Sequence, residues 1–117
     1  MRHILVTNAK GGCGKSTIAT SLAAYFASEG YATALADFDP QGSALSWLDQ
    51  RPADCAPIKA VRGFETGLKT VPQSTEYVVI DSPAGSYGED LRELVRRAET
   101  IVVPVLPSPI DIKAAEA

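Results

Sequence analysis

Eight residues near the amino terminus, Lys10-Gly11-Gly12-Cys13-Gly14-Lys15-Ser16-Thr17, constrain the fold of this 117-residue chain more than any other stretch. Gly11, Gly12 and Gly14 let the backbone turn sharply and bring successive amide N–H groups towards one point. Upstream, His3 to Thr7 is apolar and β-rich. Downstream, Ser16 to Ser28 carries Ile18, Leu22, Ala23, Tyr25 and Phe26 as an apolar stripe at helical spacing, and Gly30 ends it. A strand that enters a glycine loop and leaves as a helix turns the positive end of that helix onto the loop, which makes an anion site.

The loop has the form of a Walker A motif, G-x-x-x-x-G-K-[ST], with one deviation: Ala9 stands where the first glycine belongs, and Lys10 follows it. In such a loop the amides of Gly11, Gly12, Cys13 and Gly14 cradle phosphate oxygens, and Lys15 reaches the terminal phosphates. Ser16 offers its hydroxyl to magnesium, and Thr17 adds a phosphate contact. A nucleoside triphosphate with Mg2+ is the expected ligand. Cys13 and Cys55 lie far apart without metal-ligand spacing, so neither a disulfide nor a zinc site is expected. Cys13 reads better as a small side chain under the loop than as a redox thiol, because no second cysteine lies within range in the sequence.

The rest of the chain alternates strand and helix signals. Ala32 to Phe38 reads as a second strand, Asp39-Pro40-Gln41-Gly42 as a turn, and Ser43 to Gln50 as a helix before Pro52 and Pro57. Ile58 to Val61 predicts a short third strand and Phe64 to Val71 a short helix, in the stretch with the weakest periodicity. Glu76 to Asp81 is a strand ending on an acid, Leu91 to Ala98 an arginine-rich amphipathic helix, and Ile101 to Leu106 another apolar run. A Pro-Ser-Pro turn at 107–109 then leads into a helix start at Ile110. Strands with wholly apolar middles, alternating with helices, predict an α/β fold: a three-layer sandwich around a mostly parallel sheet.

Composition sets broad limits. An apolar content of 45% with 21% charged residues suits one globular domain, residues 1–117, and a formal charge of -3 gives no global attraction to nucleic acid or anionic lipid. The amino-terminal apolar run is too short for a signal peptide or a membrane span, so a cytoplasmic location and no membrane role are expected. Arg92, Arg96 and Arg97 are the one basic concentration. With Glu89, Asp90, Glu93 and Glu99 around them, a salt-paired helix face fits better than a nucleic-acid surface.

Acids end two of the predicted strands, where ligands of a parallel sheet lie. Asp81, after Tyr77-Val78-Val79-Ile80, has the form of a Walker B acid that holds the magnesium shell. Asp37 and Asp39 sit two residues apart and share a face on an extended strand, one for the metal shell and the other for the attacking water. Either also suits a turn before Pro40, and spacing alone leaves that choice open.

Taken together, KGGCGKST, DFDPQGSA and VVIDSPAG resemble, in order and approximate spacing, the ParA/MinD family of deviant Walker A P-loop ATPases. The DPQGSA segment, residues 103–109 and Trp47 look most like the small ParA partition and positioning ATPases. The resemblance implies a P-loop NTPase fold and a magnesium-dependent ATPase, with ATP and Mg2+ as cofactors. Lys10 takes the place of the signature lysine that crosses a dimer interface to the partner's phosphates. Lys15 and Ser16 keep the roles above, Asp39 corresponds to the water-positioning residue, Asp37 to a metal-shell residue, Asp81 to the Walker B aspartate, and Gly85 to the second switch.

Such ATPases dimerise on ATP, bind DNA nonspecifically, and release it when a ParB-like adaptor protein stimulates hydrolysis, so that plasmids, chromosomes or large cargos are positioned. Family members continue past the equivalent of Ala117, so the chain is expected to be the amino-terminal part of a longer family domain. Two other readings use the same phosphate loop: a P-loop kinase or synthetase acting on a small molecule, and a truncated nucleotide-binding module without turnover.

Overall fold

A computed structural model describes residues 1–7, 15–82 and 89–103, with the backbone alone for 89–91. Lys10, Gly11, Gly12, Cys13, Gly14, Gly85 and the segment 104–117 lie outside the described residues, so the expectations placed on them have no structural counterpart here. The elements run β1 (Arg2–Val6), α1 (Lys15–Ser28), β2 (Thr33–Asp37), α2 (Ser43–Asp49), β3 (Ile58–Arg62), α3 (Gly63–Thr66), β4 (Tyr77–Asp81), α4 (Glu89–Arg97) and β5 (Thr100–Val102).

The strands form one parallel sheet in the order β3-β2-β4-β1-β5. Alternation along the strands divides their side chains between two apolar layers. Val6, Leu35 and Val79 face Ala19 and Ala23 of α1 and Ala44 of α2, with Trp47 and Leu48 alongside. Leu5, Ala34, Ala36, Val78 and Ile80 face the other way, towards Leu94 of α4, Leu68 and Val71. Helices therefore cover both faces, as the apolar strand middles predict, and the α/β three-layer sandwich is the observed architecture. Each fully buried valine or leucine in these layers contributes about 1.5–3 kcal/mol.

Two local details depart from the sequence reading. In α1 the buried line is Ala19, Ala23 and Ala27, whereas Tyr25 is 57% exposed and Ile18, Leu22 and Phe26 are half-buried. Small residues let the helix approach the sheet closely, and the larger side chains spread to its flanks. The helix expected over 64–71 is the single turn Gly63–Thr66, because Gly67 takes φ 62° and breaks it; Val71 still packs against the sheet from beyond that turn.

Register decides where the polar groups meet. Val6 and Asp37 both pair with Asp81, so β1, β2 and β4 end level with one another. At the opposite end of the sheet Phe26 stacks on Tyr77 with centroids 4.1 Å apart, and Tyr31 meets Tyr77 edge-on.

Candidate functional site

At the carboxyl ends of the strands, α1 begins with Lys15 and Ser16 directly over Asp81. Lys15 is buried, and its ammonium pairs with Asp81 Oδ1 and donates to the Ser82 carbonyl oxygen at 2.7 Å. Ser16 Oγ donates to the second carboxylate oxygen, Asp81 Oδ2, at 2.8 Å. Asp81 has no solvent exposure, so both of its oxygens are matched by donors from the first two residues of one helix. A buried carboxylate requires such pairing, because an isolated charge in the interior would be strongly destabilising.

Asp37, the cross-strand neighbour of Asp81, is equally buried but satisfied differently. Its Oδ1 accepts the Asp39 N–H at 2.9 Å, and its Oδ2 accepts the Ala44 and Leu45 N–H groups at 3.2 and 3.3 Å. Burial, opposed by the Asp39 N–H and reinforced by the charge of Asp81, holds the Asp37 carboxyl above the usual aspartate range. The half-buried Asp39 accepts the Gln41 N–H on Oδ1 at 3.0 Å, and its carbonyl accepts the Gly42 N–H at 2.9 Å. Phe38 continues the ladder by donating its N–H to the Asp81 carbonyl oxygen at 3.0 Å. Its ring lies over Gly63, where a Cβ would come within 2.5 Å of it.

Of the expected site residues, the structure thus brings together Lys15, Ser16 and Asp81, with Asp37 alongside Asp81 on the next strand. Thr17 is exposed at the same helix start. Two contributors went unseen in the sequence. The Ser82 carbonyl is a backbone group and carries no sequence signal. The use of Asp37 at the start of α2 does leave a trace, since Gly42 stands at the N-cap, where a capping side chain is usual.

The donor chemistry fits Mg2+ and a triphosphate. Among the described residues no group of three or more His, Cys, Asp or Glu side chains gathers as a metal cage. Ser16 and Asp81 instead present a hydroxyl and a carboxylate side by side, and Mg2+ bound with phosphates takes only one or two such protein oxygens. Lys15 adds a cation at the same point for phosphate oxygens. On α4 the side chains of Arg92, Arg96 and Arg97 are exposed, and Arg97 pairs with Glu93 at 3.3 Å, as a solvated salt-paired face would. No helix of the described residues is long and apolar enough to cross a membrane.

Residues 4–114 match the family model of the CobQ/CobB/MinD/ParA nucleotide binding domain. The chain is 35% identical over 118 residues to the maintenance of carboxysome distribution protein A of Halothiobacillus neapolitanus, covering 96% of this chain and 54% of that protein. It is 51% identical over 51 residues to the chromosome-partitioning ATPase Soj of Thermus thermophilus, covering 44% of this chain and 20% of that one. The chain spans about half the length of the carboxysome-distribution relatives it matches. A plasmid partition protein from Borrelia burgdorferi shares the fold, with a TM-score of 0.69 at 17% identity over 98% of this chain and 70% of that one.

Proposed function

The chain belongs to the CobQ/CobB/MinD/ParA nucleotide-binding domain family, and from that premise we propose that it is a ParA-type ATPase domain that binds ATP with Mg2+, dimerises on it and hydrolyses it. In this reading residues 1–117 are the amino-terminal part of one longer domain that works in the cytoplasm. One observation carries it: Lys15 and Ser16, from the start of α1, converge on the two oxygens of the buried Asp81.

Lys15 binds the terminal phosphates, exchanging the Asp81 carboxylate for another anion. Ser16 and Asp81 would hold Mg2+, which when bound neutralises charge on the phosphates. Asp39, on the loop after β2, orients the attacking water, and Asp37 lies beside the metal acid on the neighbouring strand. Gly11, Gly12, Cys13 and Gly14 wrap the phosphates with their amides, Thr17 adds a hydroxyl, and Lys10 reaches across to the nucleotide of a second copy.

The cycle would place a large cargo with the help of a ParB-like adaptor and nonspecific DNA. Support for a protein cargo comes from the carboxysome-distribution relatives, which align over 95–96% of the chain, whereas Soj of Thermus thermophilus aligns over 44%. The test is ATP turnover and ATP-dependent dimerisation in the wild type and in Lys10→Ala. Turnover and dimers in the wild type, both lost in Lys10→Ala while nucleotide binding persists, are the expected result. Unaltered turnover and dimerisation in Lys10→Ala would refute the cross-interface role.

A further inference from the structure

Helix α2 starts without a cap of its own. Gly42 occupies the N-cap with φ 69° and offers no side chain to the first helical amides. Residue 42 needs that left-handed backbone to join the Pro40-Gln41 turn to the helix, and glycine adopts it without strain. The second and third residues of the helix, Ala44 and Leu45, therefore need an acceptor from elsewhere, and Asp37 Oδ2 supplies it from the end of β2. The other oxygen of the same carboxylate takes the Asp39 N–H. One buried side chain thus grips the loop 38–43 at both of its ends. Between those ends the Phe38 ring is set against Gly63.

We infer that Asp37 is a positioning residue: its carboxylate bridges the Asp39 amide to the start of α2 and so fixes where the Asp39 side chain stands. The inference rests on the proposed reading of Asp39 as the acid that orients the attacking water. It assigns Asp37 a backbone duty in place of a place in the magnesium shell. Three peptide N–H groups already occupy its oxygens, whereas Asp81 faces side-chain donors that can turn away. Misplacing a catalytic group by about 1 Å costs turnover far more than it costs substrate affinity.

Amide hydrogen exchange of the wild-type chain gives the first test, because it needs neither a variant nor activity. The Asp39, Ala44 and Leu45 amides should be protected, and the neighbouring Ser43 amide should exchange freely. If Ala44 and Leu45 exchange as fast as Ser43, the bridge is absent and the inference falls. In Asp37→Asn, which presents an NH2 group where one oxygen stood, exchange at 39, 44 and 45 should quicken by about tenfold more than exchange at amides in the middle of α1.

The second test is steady-state ATP hydrolysis in the same variant. We expect kcat to fall by between about tenfold and a hundredfold, with KM for ATP and the half-saturating magnesium concentration moving less than about twofold. A rise of about tenfold in the magnesium requirement, with kcat restored at saturating magnesium, would make Asp37 a metal-shell residue and overturn the inference. A wild-type chain that binds ATP without turning it over would overturn the functional reading itself. That failure shows before any variant is made, so the two are told apart.

Discussion

Asp37 and Asp81 stand side by side at the ends of β2 and β4, both without solvent exposure. Asp81 is held by an ammonium and a hydroxyl on rotatable side chains. Asp37 is held by three peptide groups. Side-chain partners exchange by torsion and leave the backbone in place, so the partners of Asp81 can change while the chain stays still. Peptide partners cannot leave without moving the chain, so Asp37 is built to keep a loop in shape. Two chemically identical groups at one register thus separate into an exchangeable acid and a fixed one.

The contrast is broken most severely at Lys15. Lys15→Ala leaves a buried carboxylate with one neutral donor and should destabilise the chain by about 3–5 kcal/mol, read from the urea midpoint, and abolish triphosphate binding in calorimetry. On the other side of the pair, Gly63→Ala forces a methyl group into the Phe38 ring and should cost about 1–3 kcal/mol. Its kcat should fall with it, because Phe38 lies between the two acids of the loop. A Gly63→Ala chain with native stability and turnover would show that the ring has no part in holding that loop.

Asp37→Asn sharpens the comparison more gently, at about 1–2 kcal/mol, the effect of leaving one buried N–H opposed by another donor. Its pH dependence has a definite sign. Burial raises the folded-state pKa of Asp37 above its unfolded value, so the protonated form is favoured in the fold. Its contribution is fully present below the unfolded pKa and is lost as pH rises through the folded one. Denaturation midpoints of Asp37→Asn measured across the acidic range should therefore lack that downward step on the alkaline side.

The smallest effect belongs at the sheet edge. Glu99 accepts the His3 N–H at 2.5 Å, which lowers its pKa, so its contribution is present above the unfolded pKa and is lost as pH falls through the lowered folded value. Glu99→Gln should speed exchange of the His3 amide without altering nucleotide binding.

Much of this was legible in the sequence. Tyr77 to Ile80 and Ala34 to Ala36 announced buried strands through apolar runs, and Lys15, Ser16 and Asp81 announced one another through their places at a helix start and a strand end. What escaped depends on distances across the fold. Nothing local says that Asp37 and Asp81 share a register, since β2 and β4 are separated by two helices and a strand in the chain. The choice between turn residue and metal acid at Asp37 stayed open because its partners, Ala44 and Leu45, lie beyond a proline and a glycine. The helix over 64–71 was overextended because a glycine at position 67 is tolerable in a helical pattern, and only its backbone angle makes it an end.

The Phe26–Tyr77 stack has a mechanical consequence for the other end of the molecule. Phe26 is on α1 and Tyr77 on β4, the two elements that carry Lys15 and Asp81, so helix and strand are riveted to each other near both of their ends. A 14-residue helix, about 21 Å long, pinned in this way has no free lever arm. On the proposed reading Lys15 leaves Asp81 by swivelling its own long side chain, while Phe26 on Tyr77 and Ala19 and Ala23 against the sheet keep the shaft of the helix in place.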